Sequence, residues 1–286
     1  MARSPSRKSK SRTSKSKTDG GANLVIVANR LPVHRVEEPD GNLAWKTAPG
    51  GLVAAVTPAM ADFDGVAWLG WTGEQNTRTP SAFDHEGLRL VPVRLSPEER
   101  ELHYEGMANG TLWPLYHDKI EPPEFHRHWY DGYRNVNRRF AEAAAKSAAK
   151  GALVWIHDYQ LQLVPGMLRE LRPDLRIGFF LHIPFPPTEL FLQLPWRVHI
   201  VEGLLGADLV GFHTPGGARN FRWLVQRLTD AKPGSGRNEV VVGGRTVRFG
   251  AFPISIDSAA LDRMARTPAV RERAKQIRAD LGDPRR

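Results

Sequence analysis

Residues 151–182 read GALVWIHDYQLQLVPGMLRELRPDLRIGFFLH, and the order of apolar runs in this stretch decides the fold. The run at 152–156 is short, apolar and preceded by glycine, so it reads as a strand buried on both faces. His157-Asp158-Tyr159 ends it, and a helical pattern follows through about Leu171. Pro173 stops that helix, because proline lacks the N–H that a further turn would use. A second apolar run at 177–181 gives way to His182. Strand, helix and strand in so short a span make a βαβ unit, since parallel neighbours require a crossover.

The pattern extends in both directions. After Gly20-Gly21 the run at 24–28, LVIVA, is a buried strand ending on Asn29-Arg30. Pro49-Gly50-Gly51 is a turn signal that opens LVAAV, a helix start, with Pro58 kinking or ending the helix. Residues 66–70 form another strand, followed by Trp71-Thr72-Gly73-Glu74. From 124 to 150, Phe125, Trp129, Tyr133, Val136 and Phe140 recur every three or four residues, which predicts an amphipathic helix ending at Gly151. Residues 208–212 read as a strand, 215–228 as a helix, and 239–242 with 245–251 as a hairpin on Gly243-Gly244. From Ser258 onward a basic, Arg-rich helical stretch has no strand after it. The expected fold class is α/β, a Rossmann-like parallel sheet with flanking helices, and no repeat of fixed period interrupts it.

Composition agrees with a globular protein. At 286 residues, 41% hydrophobic and 25% charged, the chain is long enough for one large or two small cored domains. There is no apolar run of about 18 residues and no secretory leader pattern, so the expected location is cytoplasmic, with no membrane partner. Zero cysteines exclude disulfides, thiol nucleophiles and thiolate metal sites. The net charge of +9 raises a nucleic-acid reading, but seven of the basic residues lie in 1–18 without an acid among them, which leaves +2 for the rest. Residues 1–20 are therefore expected to be a disordered Ser/Lys/Arg tail, solubilising or loosely attracted to anions, with no specific nucleic-acid partner.

In an open parallel sheet, ligands bind beyond the carboxyl ends of the strands, where loops and helix N-termini converge. Three strands here end on polar residues: Asn29-Arg30, His157-Asp158 and His182. Arg30 offers a planar fork of donors for a phosphate or carboxylate, or else a salt bridge at the sheet rim. Gly50-Gly51 before a helix fits either a phosphate cradle or a ligand-free turn. Asp158 fits a carboxylate receiving sugar hydroxyls, or a helix N-cap. His182, stiffened by Pro184, Pro186 and Pro187, is either presented at the sheet edge or a satisfied core histidine. Trp71, Tyr104, Trp113, Trp129 and Tyr133 include possible sugar-stacking faces, although Trp129 and Tyr133 have core spacing. His126 and His128, two apart on the expected helix, would face different sides and could not share one ion, so no metal site is expected.

With those residues in place, the chain resembles the trehalose-6-phosphate synthase family of retaining, two-domain GT-B glycosyltransferases. The matching stretches are VIVANRLPV, APGGL, WLGWTGE, HYEGMANGTLWPLYH, WYDGYRNVNRRFA, WIHDYQLQLVP, IGFFLHIPFPPTELF, ADLVGFHT and FPISID, in family order over about residues 23–257. The resemblance implies that Arg30, Tyr104 and Asp158 hold glucose-6-phosphate, with Arg30 on the phosphate and Asp158 on sugar hydroxyls. It implies that Gly50 and Gly51 approach the diphosphate of a nucleoside-diphosphate glucose such as UDP-glucose, and that His182 lies beside the donor glucose. Trp113 and Ile183 would shape the acceptor pocket, with Trp71 in the same lining. The implied reaction needs no cofactor or metal. It proceeds by front-face attack, assisted by the leaving phosphate oxygen, with Asp158 positioning the acceptor rather than forming a covalent adduct.

The family continues after FPISID into a second Rossmann-like domain whose Arg and Lys bind the donor phosphates. Here the only lysines after residue 230 are Lys232 and Lys275. The expectation is a tail at 1–20, an acceptor-binding domain at 21–257 and a helical linker at 258–286 toward a C-terminal donor domain on which full activity depends. A glucose-6-phosphate-binding regulatory module without turnover is the alternative. A homo-oligomer is a further possible partner state.

Overall fold

The computed structural model describes residues 21–48, 50–60, 62–74, 79–255 and 258–284. The expected tail at 1–20, Pro49 of the turn signal, the side chain of Pro58 and the last two residues of FPISID lie outside that description. Within it, the chain forms β1 (Ala22–Arg30), a separate hairpin of β2 (Val33–Glu37) and β3 (Leu43–Thr47), α1 (Gly51–Met60), β4 (Val66–Trp71), β5 (Phe83–His85) and β6 (Leu88–Pro92). A short α2 (Pro97–Glu99) runs into a π-helix at Arg100–Leu112 and on into α3 (Trp113–Tyr116). Next come α4 (Arg127–Ser147), β7 (Ala148–His157), a 3₁₀ turn at Tyr159–Leu161, α5 (Val164–Leu171) and β8 (Arg176–Phe180). The remaining elements are α6 (Thr188–Phe191), α7 (Arg197–Leu204), β9 (Leu209–Phe212), α8 (Pro215–Leu228), β10 (Lys232–Pro233), β11 (Glu239–Val242), β12 (Arg245–Ala251), α9 (Ser258–Ala265) and α10 (Pro268–Asp280).

One ten-stranded sheet has the order β10-β11-β12-β9-β8-β7-β1-β4-β6-β5. The strands from β12 across to β6 pair in parallel, and antiparallel strands close both edges. The chain starts in the middle, builds outward through β4 and β6, then returns to the other side of β1 with β7. The order therefore reverses between β1 and β7, and that switch point leaves a crevice at the carboxyl ends of the two strands.

The alternation along β1 explains its double burial. Leu24, Ile26 and Ala28 pack with Trp68, Leu90 and Val56 on one face, while Val25 and Val27 join the larger cluster under α4, α5, α7 and α8 on the other. On α4, Tyr133, Val136 and Phe140 are fully buried, as their spacing predicts. Trp129 fills a notch in the π-helix: a Cβ at Gly106 would lie 2.6 Å from its ring. The hairpin at Gly243-Gly244 forms because both residues adopt positive φ, +56° and +79°, as a two-residue turn between twisted strands requires.

Four boundaries differ from expectation. The helix after Gly50 continues past position 58 to Met60. The helix expected from 124 to Gly151 spans only Arg127–Ser147, because Ala148 already pairs with Ala22 on β1. Gly151 then sits inside β7 at φ +69°, where a jog in the strand shifts the register. His126 precedes α4 in extended backbone, so it and His128 are not two positions of one helix. Their rings lie 5.4 Å apart, so the expectation that they face different sides of one helix does not hold.

At the amino-terminal rim of the sheet, polar groups are saturated. Asp208 accepts from Arg169 at 2.7 Å and from the Ile177 N–H at 2.8 Å, and Arg245 reaches it at 3.4 Å. Arg169 also donates to the carbonyls of Gly206, Pro173 and Leu175. Arg172 donates to the carbonyls of Ala145, Ala148 and Ala149 and pairs with Asp174. No helix among the described residues is long and apolar enough to cross a membrane.

Candidate active site

A cleft of about 550 Å³ opens at the switch point, lined by Arg30, Tyr104, His157, Asp158 and Gln160 from the sheet side and by His34, Ala48, Gly50 and Val53 from the hairpin and α1. The three polar strand ends predicted from sequence do converge. Arg30 closes β1, His157 closes β7, and His182 follows β8.

Arg30 has no carboxylate partner among the described residues. Its guanidinium lies 5.0 Å from the centre of the Trp71 ring, a cation–π contact. Gly73 makes room for it: at φ +86° only glycine is at ease, and a Cβ there would come within 1.8 Å of Arg30 Nη2. Burial pulls the Arg30 pKa below its ordinary value, with Tyr104 opposing. An exposed cation held on an aromatic face, without a carboxylate partner among the described residues, is suited to an anion from outside.

Asp158 is strained. Its backbone sits at φ 76°, ψ 170°, a region essentially reserved for glycine that costs a side-chain-bearing residue about 1–3 kcal/mol. Hydrogen bonds hold it there. The Asp158 N–H donates to the Phe180 carbonyl at 2.8 Å, and its Oδ1 accepts from the N–H groups of Tyr159 at 3.0 Å and His182 at 3.1 Å. It thus caps the 3₁₀ turn, as the N-cap alternative expected, while Oδ2 has no partner among the described residues. Burial pushes its pKa up to about 6, against the two backbone donors that favour the charged form.

The segment after Asp158 is propped from below. Tyr133 donates to the Tyr159 carbonyl at 2.7 Å and accepts from the Gln162 N–H at 3.0 Å, and Asn137 bonds Gln160 and Leu163. On the other flank, His103 is fully buried beside Asn29, its Nε2 lying 3.4 Å from Asn29 Oδ1, and burial lowers its pKa to about 3. Tyr104 reaches the cleft from the π-helix, an element enriched at functional sites.

His182 borders a second hollow of about 400 Å³, shared with Trp155, Phe180, Phe252, Ile254 and Val56. His157 belongs to the walls of both. Burial, followed by the neighbouring His213, lowers the His182 pKa to about 4.

Of the remaining sequence candidates only Gly50 is in the cleft wall; the others fall around it. Trp71 is buried beneath Arg30. Trp113 is 38% exposed, with its ring over His117 and 5.6 Å from that of Tyr159. Ile183 is buried in the larger core. Gly50 lines the cleft, and Gly51 begins α1. Neither has positive φ, and a Cβ at Gly51 would meet nothing within 4 Å, so the turn itself does not demand glycine. Sequence reasoning gave no weight to His34 or Gln160 and left His157 as a mere flank of Asp158. Only its place at a strand end pointed to it.

The parallel α/β sheet that reverses between β1 and β7 is a Rossmann-like domain, and its likeness to solved structures makes it one of the GT-B glycosyltransferase type. The chain belongs to glycosyltransferase family 20, which it matches over residues 22–286. It is 58% identical over 277 residues to the trehalose-6-phosphate synthase of Mycolicibacterium gilvum, covering 93% of this chain and 55% of that one. Among solved structures it is similar to one from E. coli bound with UDP-2-fluoro glucose, at 30% identity and a TM-score of 0.76 over 91% of this chain and 54% of the other. It is likewise similar to an α,α-trehalose-phosphate synthase (UDP-forming) from Burkholderia xenovorans in complex with glucose-6-phosphate, at 29% identity and a TM-score of 0.72, covering 91% of this chain and 56% of that one. The chain spans about half the length of the curated relatives it matches.

Proposed function

We propose that the cleft binds glucose-6-phosphate as the acceptor in a retaining glucosyl transfer that forms trehalose 6-phosphate. The observation that carries this reading is the pairing of opposite needs in one cleft: among the described residues Arg30 is a cation without an anion, and Asp158 is a strained carboxylate with one oxygen uncommitted. A sugar phosphate supplies both, its phosphate to Arg30 and its hydroxyls to Asp158, with Tyr104 between. Bound glucose-6-phosphate in the Burkholderia relative and a bound UDP-sugar in the E. coli relative support the substrate pair. The donor is a nucleoside-diphosphate glucose, UDP-glucose by that likeness.

In this reading Gly50 and Gly51 leave open backbone at the start of α1 for the donor diphosphate. His182 contacts the transferred glucosyl group, while Trp113, Ile183 and Trp71 shape the acceptor side. The bond from the donor carbon to the diphosphate breaks as the bond to the acceptor hydroxyl forms on the same face. The hydroxyl proton passes to the departing phosphate oxygen, so Asp158 positions and forms no covalent adduct. No metal or other cofactor enters. Residues 21–257 act as the acceptor domain, and 258–286 lead toward a donor-binding domain of the kind that the relatives' greater length accommodates. The setting is the cytoplasm.

Calorimetric titration of the chain with glucose-6-phosphate and with glucose tests the reading. The expected result is binding that requires the phosphate and is lost in Arg30→Gln. Equal affinity for the two sugars, or none for either, would overturn it.

A further inference from the structure

His157 is 1% exposed, stands at the carboxyl end of β7, and forms part of the wall of both hollows. Its Nδ1 lies 3.0 Å from Nε2 of His182, whereas its own Nε2 is buried with no hydrogen-bond partner among the described residues. The backbone around the pair is tied on both sides, since Asp158 N–H bonds the Phe180 carbonyl and His182 N–H bonds Asp158 Oδ1. The two rings are held facing each other by the junction of β7 and β8.

One proton must lie between the two nitrogens, and only two arrangements of neutral rings allow it. If His182 donated from Nε2, His157 would carry its proton on its own Nε2, a buried N–H with nothing to accept it. If His157 donates from Nδ1, the atom left without a partner is a lone pair instead. Orphaned buried N–H groups are the rarer and costlier of the two. The second arrangement leaves His182 with its proton on Nδ1. Burial of both rings, which disfavours the imidazolium forms, keeps the pair neutral.

From this geometry we infer that His157 is a positioning residue that fixes His182 as the Nδ1–H tautomer, making its outward nitrogen an obligatory hydrogen-bond donor to a hydroxyl of the transferred sugar. This deepens the glucosyl-transfer reading and rests on it for the identity of the acceptor hydroxyl. In these roles His182 is a directional donor and neither imidazole moves a proton. The free Nε2 lone pair of His157 faces no acid, so it does not compete for the shared proton.

Nitrogen-15 correlation spectra of the histidine rings in the chain itself, near pH 7, report which nitrogen is protonated. The expected result is a protonated Nδ1 and a bare Nε2 on His182, with the reverse of the usual preference lost in His157→Phe and kept in His157→Asn, whose amide reaches the place of Nδ1. A protonated Nε2 on wild-type His182, or a tautomer indifferent to His157→Phe, would overturn the inference. The wild-type spectrum decides even where a variant fails to fold. Affinity for the donor sugar, measured in the matching full-length synthase, should fall about tenfold in His157→Phe, the worth of one hydrogen bond, and recover in His157→Asn. Addition of glucose-6-phosphate in the same spectra separates the two claims, because a missing response there sinks the acceptor reading and leaves the tautomer assignment standing.

Discussion

The two rims of the central sheet carry the same residue types and use them in opposite ways. At the amino-terminal rim, Arg169, Arg172 and Arg245 spend their donors on carbonyls and on Asp208 and Asp174, and Arg169 and Arg245 line a hollow of about 370 Å³ together with Glu202 and Asp230. At the carboxyl rim, Arg30 rests on an indole with no counter-ion among the described residues, and Asp158 occupies a backbone conformation meant for glycine. Both rims are concave and both are charged. What distinguishes a site from a brace is unspent hydrogen-bonding capacity held in place at an energetic cost.

The contrast can be broken by substitution. The largest effect is expected for Arg30→Gln, which should weaken glucose-6-phosphate binding about 100-fold, since a charge-assisted contact to phosphate is lost. Its melting temperature should stay within about 2 °C, because no internal ion pair is removed. A large loss of stability would mean that Arg30 is a brace after all.

Asp158→Asn should do the reverse of most buried substitutions. The Asp158 pKa is raised from 3.8 to about 6 in the folded chain, so the folded state binds the proton more tightly than the unfolded state and stability falls as pH climbs through that interval. Removing the charge should stabilise the chain by roughly 3 kcal/mol at pH 7 and by almost nothing below about pH 3. Asparagine bears the same backbone strain at φ 76°, ψ 170°, so that contribution cancels in the comparison. Denaturant titrations at the two pH values measure the difference, and an equal effect at both would dispose of the desolvation account.

Asp208→Asn should cost about 1–2 kcal/mol and leave glucose-6-phosphate affinity within about twofold, the mirror image of Arg30→Gln. Smallest of all, Arg266→Ala, just past the end of exposed α9, removes an i,i+4 pair with Asp262 and should change stability by less than about 0.5 kcal/mol.

Much of this contrast was readable in the sequence because strands in a parallel sheet end together. Arg30, Asp158 and His182 each follow an apolar run, and parallel pairing brings them to one rim. The hairpin at 239–251 and the helix Pro215–Leu228 match their expected limits because glycines with positive φ and a Thr214 cap mark them locally. The π-helix at Arg100–Leu112 was not legible, since its wider hydrogen-bond step spaces apolar residues at neither the helical nor the strand period. The β2–β3 hairpin escaped notice for a different reason. Its residues are half-exposed and pair only with each other, so no strong alternation betrays them. The His157–His182 contact depends on the register that sets His157 opposite Phe180, and no spacing along the chain encodes that. The helical stretch expected from Ser258 onward is present as two exposed helices, α9 and α10.

The seating of Arg30 on Trp71 has an optical side. An indole in contact with a guanidinium emits differently from one whose cation has turned away toward an anion, so engagement of Arg30 is written into the fluorescence of a single buried ring. The chain has eight tryptophans, and a difference spectrum between the wild type and Trp71→Phe isolates the one that matters. On the proposed reading, anion binding at Arg30 should change the emission of Trp71, and stopped-flow fluorescence without a label measures it.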